Sequence, residues 1–223
     1  MKIPTLHRWP HDTRAARELQ TQLAPDVRLR RLVGPLRWLA GADVAFSRDG
    51  ADVIAGVVLW DQQARAVIER QVARVPCEFP YVPGLLSFRE LPGVLAAFRL
   101  LRGTPDAVLC DAQGLAHPRR LGLACHLGLW LQVPTVGCAK SRLCGSFELP
   151  GRVKGSSSPL VLDDECVGAV LRTRTDVQPL FVSPGHLCDL PGAVDLTLAA
   201  TTRYRLPEPT RLAHQLVTAA RLE

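Results

Sequence analysis

Three consecutive segments of strand composition, joined by short connections, constrain this chain more than any other feature. Trp38 to Phe46 is apolar apart from Asp43, Asp52 to Trp60 is rich in Val and Ile, and Arg65 to Val75 alternates in part. Ser47-Arg48-Asp49-Gly50 and Asp61-Gln62-Gln63 have the composition of hairpin turns. Connections this short join antiparallel neighbours. Three meandering strands are therefore expected.

The pattern then changes. Gly84 to Leu101 has helical composition, with Pro92 expected to delay its start or break it. Ala107 to Cys110 reads as a short buried strand, Arg119 to Leu131 as a helix and Pro134 to Ala139 as another strand. Leu160 to Leu162, Glu165 to Arg172 and Leu180 to Val182 add further strand. Pro191 to Ala200 and Glu208 to Leu222 read as helices entered through a proline. Residues 11–32, Arg-rich with Leu19, Leu23 and Leu29, read as an N-terminal helix broken near Pro25. A meander followed by α/β alternation predicts a mixed β-sheet with helices on both faces. With 223 residues, 47% of them hydrophobic, one domain spanning 1–223 can bury a substantial core.

Composition narrows the class of function. A 22% share of charged residues and a mean hydropathy of +0.09 argue against a disordered chain. No apolar run reaches the roughly 20 residues of a membrane span, and Leu121 to Ala139 is interrupted by His126, Gln132 and Pro134. Residues 1–20 carry Lys2, Arg8, Asp12, Arg14, Arg17 and Glu18 with no apolar centre, so no secretory signal is expected there. Seven scattered cysteines, with no C-x-x-C pair, suit neither a disulfide framework nor a zinc site. Cys110, Cys125 and Cys138 sit in apolar runs as small core residues, and a reducing cytoplasm is the expected compartment. The net charge is +6, and all basic residues but Lys2, Lys140 and Lys154 are arginine. Arginine suits phosphate contacts, although a codon bias towards arginine accounts for much of this composition.

Several polar residues do not fit a purely structural reading. Asp43 interrupts an apolar strand, where a carboxylate is costly unless it is paired or metal-bound. Asp111 ends the apolar run 107–110, at a strand terminus where sites form in α/β sheets. Phe79-Pro80-Tyr81-Val82-Pro83-Gly84 is a stiff loop carrying an aromatic, the chemistry of a wedge between stacked bases. Glu90 follows on the next helix. Asp111-Ala112-Gln113-Gly114-Leu115-Ala116-His117-Pro118-Arg119-Arg120 has the composition of an active-site loop, in which Gly114 permits close approach of a ligand and His117 and Arg119 can face phosphate. Lys140 ends another buried strand, and His214 lies on the C-terminal helix.

Together these segments resemble the endonuclease V, or deoxyinosine 3′ endonuclease, family. The resemblance rests on Asp43-Val44-Ala45-Phe46, Tyr81-Val82-Pro83-Gly84-Leu85-Leu86-Ser87-Phe88-Arg89-Glu90 and Gly114-Leu115-Ala116-His117-Pro118-Arg119-Arg120-Leu121-Gly122. It continues, in family order, through Pro134 to Leu143, Ser183 to His186 and Tyr204 to Arg211. It implies an RNase H-like α/β fold and hydrolysis at the second phosphodiester bond 3′ of a deaminated base, leaving 3′-OH and 5′-phosphate. It implies Mg²⁺ as cofactor, with Mn²⁺ able to substitute, held by Asp43, Glu90 and Asp111. His117, Lys140 and His214 match positions near the reacting phosphate. Tyr81, Val82, Pro83 and Gly84 match the wedge, and Gly84, Leu85 and Gly114 the base pocket. DNA containing deaminated bases is the implied partner of a monomer with no membrane attachment. Inosine-containing RNA is the alternative substrate, and a lesion-binding protein without catalysis the reading from another class. One departure stands out: the family's Asp-Gly-x-Gly is Asp111-Ala112-Gln113-Gly114 here.

Overall fold

A computed structural model describes residues 1–222. The expected meander is present: β1 (Trp38–Phe46), β2 (Asp52–Asp61) and β3 (Ala66–Pro76) pair antiparallel in sequence order. Its turns follow from local chemistry. Gly50 takes a φ of +74° after Ser47, and the Asp61 carboxylate accepts the Gln63 and Ala64 amides. β3 alternates between exposed and half-buried positions, as an edge strand should.

The chain then adds α2 (Leu86–Leu100), β4 (Ala107–Cys110), α3 (Leu123–Leu131) and β5 (Thr135–Ala139). β4 pairs parallel to both β1 and β5. Strands β6 (Ser157–Leu162), β7 (Glu165–Leu171) and β8 (Leu180–Pro184) complete one mixed eight-stranded sheet, in the order β3-β2-β1-β4-β5-β8-β7-β6. Helices α4 (Leu190–Ala199) and α5 (Glu208–Ala220) close the chain, and α1 (Thr13–Leu23) precedes the sheet.

Side-chain alternation along β1 assigns the helices to faces. Ala40 and Ala42 pack with Leu95 and Phe98 of α2 and Leu127 of α3. Leu39 packs on the opposite face, with Ala193 and Leu196 of α4. Gly41 shares that second face and lies under α5: a Cβ there would stand 2.1 Å from the Pro209 carbonyl carbon. Helices thus cover both faces. α1 lays Ala16, Gln20 and Leu23 inward, bridging the starts of α2 and α3.

Some boundaries differ from the expectation. α2 runs from Leu86 through Pro92 without a break. A proline inside a helix costs about 3 kcal/mol, and burial of Leu91, Val94, Leu95 and Phe98 against the sheet offsets it. α3 starts at Leu123 and not at Arg119, because Arg120 takes a φ of +54° and Gly122 is extended. β6 starts at Ser157, three residues before the expected strand. Among the described residues no helix is long and apolar enough to cross a membrane.

Candidate active site

The register of β1 and β4 places Ala42 beside Cys110, so the next residue on each chain is a carboxylate. Asp43 and Asp111 therefore emerge at adjoining strand ends. Asp43 lies on the same face as Gly41, under α5. From Gly41 to Asp43 the strand advances about 6.8 Å; from Thr210 to His214 the helix advances about 6 Å. The contact of Pro209 and Thr210 with Gly41 thus carries His214 to Asp43, where Nδ1 and Oδ2 are 2.7 Å apart. The Asp43 side chain is 15% exposed and that of His214 54%. Lys140 follows the last residue of β5, and its ammonium forms an ion pair with Asp111.

Glu90 enters from the second turn of α2, partly buried. Desolvation pushes its carboxyl up to about 8, and the charges of Asp43 and Asp111 add to the rise against the opposing pull of Arg89. Asp43 is also raised, by desolvation first, while the His214 bond opposes the rise and the charge of Asp111 adds to it. All three carboxylates feel one another. No group of three or more His, Cys, Asp or Glu side chains among the described residues is gathered in a metal-holding geometry. Asp43 turns to His214 and Asp111 to Lys140 instead. The donor chemistry nevertheless fits a hard divalent cation. Three mutually repelling carboxylates are oxygen ligands of the kind Mg²⁺ prefers, and a cation among them would relieve the repulsion that adds to the desolvation raising Glu90.

Beside this cluster lies a cavity of about 380 Å³, within the range of small-ligand sites. Asp111 and Lys140 stand in its wall, so the cavity and the acidic cluster share an edge. Tyr81, Val82 and Pro83 form one rim, with Tyr81 69% exposed. Gly84, at φ +77°, anchors the loop. Its carbonyl accepts from Gln20 Nε2 at 3.0 Å, His117 Nε2 at 2.9 Å and Arg119 Nη2 at 2.9 Å. His117 Nδ1 accepts the Arg119 amide, so this ring is the neutral Nε2–H tautomer. Burial accordingly lowers its pKa to about 4.

The structure corrects parts of the expected pocket. Leu85 is fully buried against Ala16, Phe79 and Phe88, away from the cavity. Gly114 does allow a close approach, but by the protein itself: a Cβ there would lie 2.1 Å from the Pro184 oxygen of β8, and the Gly114 amide donates to Ser183 Oγ. His117 is buried with both ring nitrogens bonded within the protein, and Arg119 faces Gly84 and Gln20, where phosphate contacts were expected. Ala112 is nearly buried and lines the cavity, so the departure at this position borders the pocket.

Three cavity residues carried no functional reading in the sequence. Gln20 had one legible signal, an amide on the apolar face set by Ala16 and Leu23. Gln113 donates from Nε2 to the Ser141 carbonyl, while its buried Oε1 has no partner. Ser87 lies within the resembling segment, where nothing local sets its hydroxyl apart, and it lines the cavity.

A meander leading into parallel strands, with carboxylates at the adjoining ends of two of them and a third from the covering helix, has the RNase H-like plan seen in metal-assisted nucleases. The family model for endonuclease V matches residues 20–215. An endonuclease V of Nostoc punctiforme is 47% identical over 220 residues, covering 98% of this chain and all of that protein. The crystal structure of an endonuclease V from Streptomyces avermitilis is 43% identical with a TM-score of 0.91, covering 95% of this chain and 94% of that one. The chain belongs to the endonuclease V family. A more distant endonuclease V from Ciona intestinalis, solved with a 23mer DNA containing an inosine followed by a ribo-adenosine, shares the fold at 22% identity. Its TM-score is 0.83, over 94% of this chain and 96% of that one.

Proposed function

We propose that this nuclease nicks DNA at the second phosphodiester bond 3′ of a deaminated base, chiefly deoxyinosine, leaving 3′-OH and 5′-phosphate ends. The observation that carries the reading is the shared wall: Asp111 and Lys140 belong both to the acidic cluster and to a base-sized cavity rimmed by an exposed tyrosine. The Ciona relative, holding inosine-containing DNA on the same fold, supports the substrate class.

Asp43, Glu90 and Asp111 would hold Mg²⁺, or Mn²⁺ in its place. When bound, such an ion supplies an activated water and offsets charge on the phosphate. The protein's own groups do the rest. His214, with its Nδ1–H given to Asp43, keeps Nε2 free to orient the attacking water and accept its proton. Lys140 is poised to pass from Asp111 to the phosphoryl or leaving-group oxygens as charge builds there. Tyr81 wedges into the stack while the lesion base turns into the cavity. Extrusion costs a few kcal/mol and is cheapest at a mismatch, which itself favours damaged sites. His117, Arg119 and Gln20 act as positioning residues, holding Gly84 and hence the wedge.

Incubation of an end-labelled deoxyinosine oligonucleotide with the protein and Mg²⁺, followed by mapping of the cut, tests the reading. A single nick one nucleotide beyond the 3′ neighbouring bond is expected. Cleavage of the undamaged strand at the same rate overturns it. The same strand made as RNA tests the alternative substrate, since the Ciona complex carries a ribonucleotide beside the inosine.

A further inference from the structure

A polar chain runs from the N-terminal segment to the wall of the cavity, and the proposed chemistry does not use it. His7 Nδ1 lies 2.9 Å from the Arg8 carbonyl oxygen, His7 Nε2 lies 2.7 Å from His126 Nε2, and His126 Nδ1 lies 3.1 Å from Ser87 Oγ. Ser87, 2% exposed, lines the cavity in the first turn of α2. His126 is fully buried. The two rings are boxed by Trp9, Trp130 and Phe88, with His7 edge-on to Trp130 at 5.0 Å and Phe88 edge-on to His126 at 5.3 Å. They are not free to turn over.

The direction of every bond follows from one end. A carbonyl only accepts, so His7 Nδ1 carries the proton and Nε2 is bare. His126 must then donate from Nε2, which leaves Nδ1 bare. Ser87 must donate to it. Burial supports the neutral forms: it lowers the pKa of His126 to about 3 and holds His7 below its usual value. The hydroxyl proton of Ser87 is thus committed, and only oxygen lone pairs remain for a ligand.

We propose that Ser87 determines base specificity. The relay from Arg8 through His7 and His126 locks its hydroxyl as an acceptor, which takes the N1–H of a 6-oxopurine and repels the N1 lone pair of adenine. The neighbouring start of α2 complements this. Its N-cap, Leu85, offers no side-chain bond; the Phe88 amide is taken by the Leu85 carbonyl, and the Leu86 and Ser87 amides remain for a 6-oxo oxygen. Adenine presents the opposite pattern on this edge, a bare N1 and an amino donor. Guanine shares N1–H and O6 with hypoxanthine, so its rejection rests on its 2-amino group and not on Ser87. The proposal rests on the deaminated-base reading above.

The test is a cycle between the hydroxyl and the base. Oligonucleotides carrying hypoxanthine, unsubstituted purine (bare N1, no 6-substituent) or adenine at one position are nicked by wild type, Ser87→Ala and His126→Phe. Folding is checked by thermal melting. For Ser87→Ala, kcat/KM on hypoxanthine should fall about tenfold, the equivalent of one hydrogen bond of about 1.4 kcal/mol, with the loss in KM. The rate on purine should hold or rise. His126→Phe, which frees the hydroxyl to rotate, should narrow the hypoxanthine-over-purine ratio in the same direction. An equal fall on both bases, or an unchanged ratio in Ser87→Ala, overturns the proposal. If wild type itself shows no preference for hypoxanthine over purine and adenine, the functional reading fails instead. Ser87→Ala decides the matter even if His126→Phe does not fold.

Discussion

At one end of the cleft three carboxylates push on one another; at the other, three donors converge on a single carbonyl. Asp43 and Glu90 are both raised by desolvation and by like charge, and the available partners, His214 and Lys140, lie on separate elements. Around Gly84, by contrast, Gln20, His117 and Arg119 satisfy the carbonyl from two segments, and His117 is neutral. The proposed cutting end carries a built-in repulsion, because carboxylates proposed to share a cation repel without one. The proposed reading end is preorganised: a loop proposed to part bases then spends no binding energy on its own ordering.

That contrast can be broken or sharpened by mutation. The largest effect is expected at the cutting end. Asp43→Asn should lower Mg²⁺-dependent nicking by roughly 1000-fold, comparable to the loss of a key electrostatic group in other active sites, with melting unchanged or raised. Turnover near wild type would remove Asp43 from the chemistry. Next comes Leu85→Ala, which should cost about 2–5 kcal/mol of stability by opening a cavity in a buried cluster. Its ratio of rates on hypoxanthine and adenine should not move, whereas a shift would return Leu85 to the pocket. Tyr81→Ala is expected to weaken binding to lesion duplex by about 1–3 kcal/mol, the worth of an aromatic stacked on a base. The loss should be smaller for the lesion in a single strand, where no neighbouring stack needs parting; equal losses would count against a wedge.

The smallest effect is in pH dependence. The folded pKa of Glu90, about 8, lies above its ordinary 4.5. The proton is held more tightly in the folded state, so the stability this group contributes is full below pH 4.5 and is lost as pH rises towards 8. In EDTA, wild type should lose a few °C of Tm relative to Glu90→Gln across that window. Saturating Mg²⁺ should recover the loss in wild type at pH 8 and not in the variant. Parallel pH profiles would show that Glu90 is not held in a repulsive cluster.

Much of this was legible in the chain. The meander, the later alternation and the buried strands at 107–110 and 134–139 follow from hydrophobic period and turn residues. Asp43 and Asp111 stood out because a carboxylate in or beside an apolar run has a cost that demands a reason. The clamp on Gly84 was not legible. Gln20 is separated from Gly84 by 64 residues, and one amide in an arginine-rich helix has no local peculiarity beyond its apolar face. The surroundings of Leu85 and Gly114 are not legible either, for a related reason. Both lie in segments that border the cavity, yet one side chain turns into the core and the other position is filled by the Pro184 backbone.

Sequence alone determined which residues carry charge, which strands are buried and where the backbone must turn, since these depend on neighbours a few bonds away. Tertiary structure decided which charges meet. The β1–β4 register sets Asp43 beside Asp111, the missing Cβ of Gly41 lets α5 bring His214 to Asp43, and packing around His126 gives the Ser87 hydroxyl its direction. Those outcomes depend on contacts between segments remote in the chain, which folding brings together and composition does not encode.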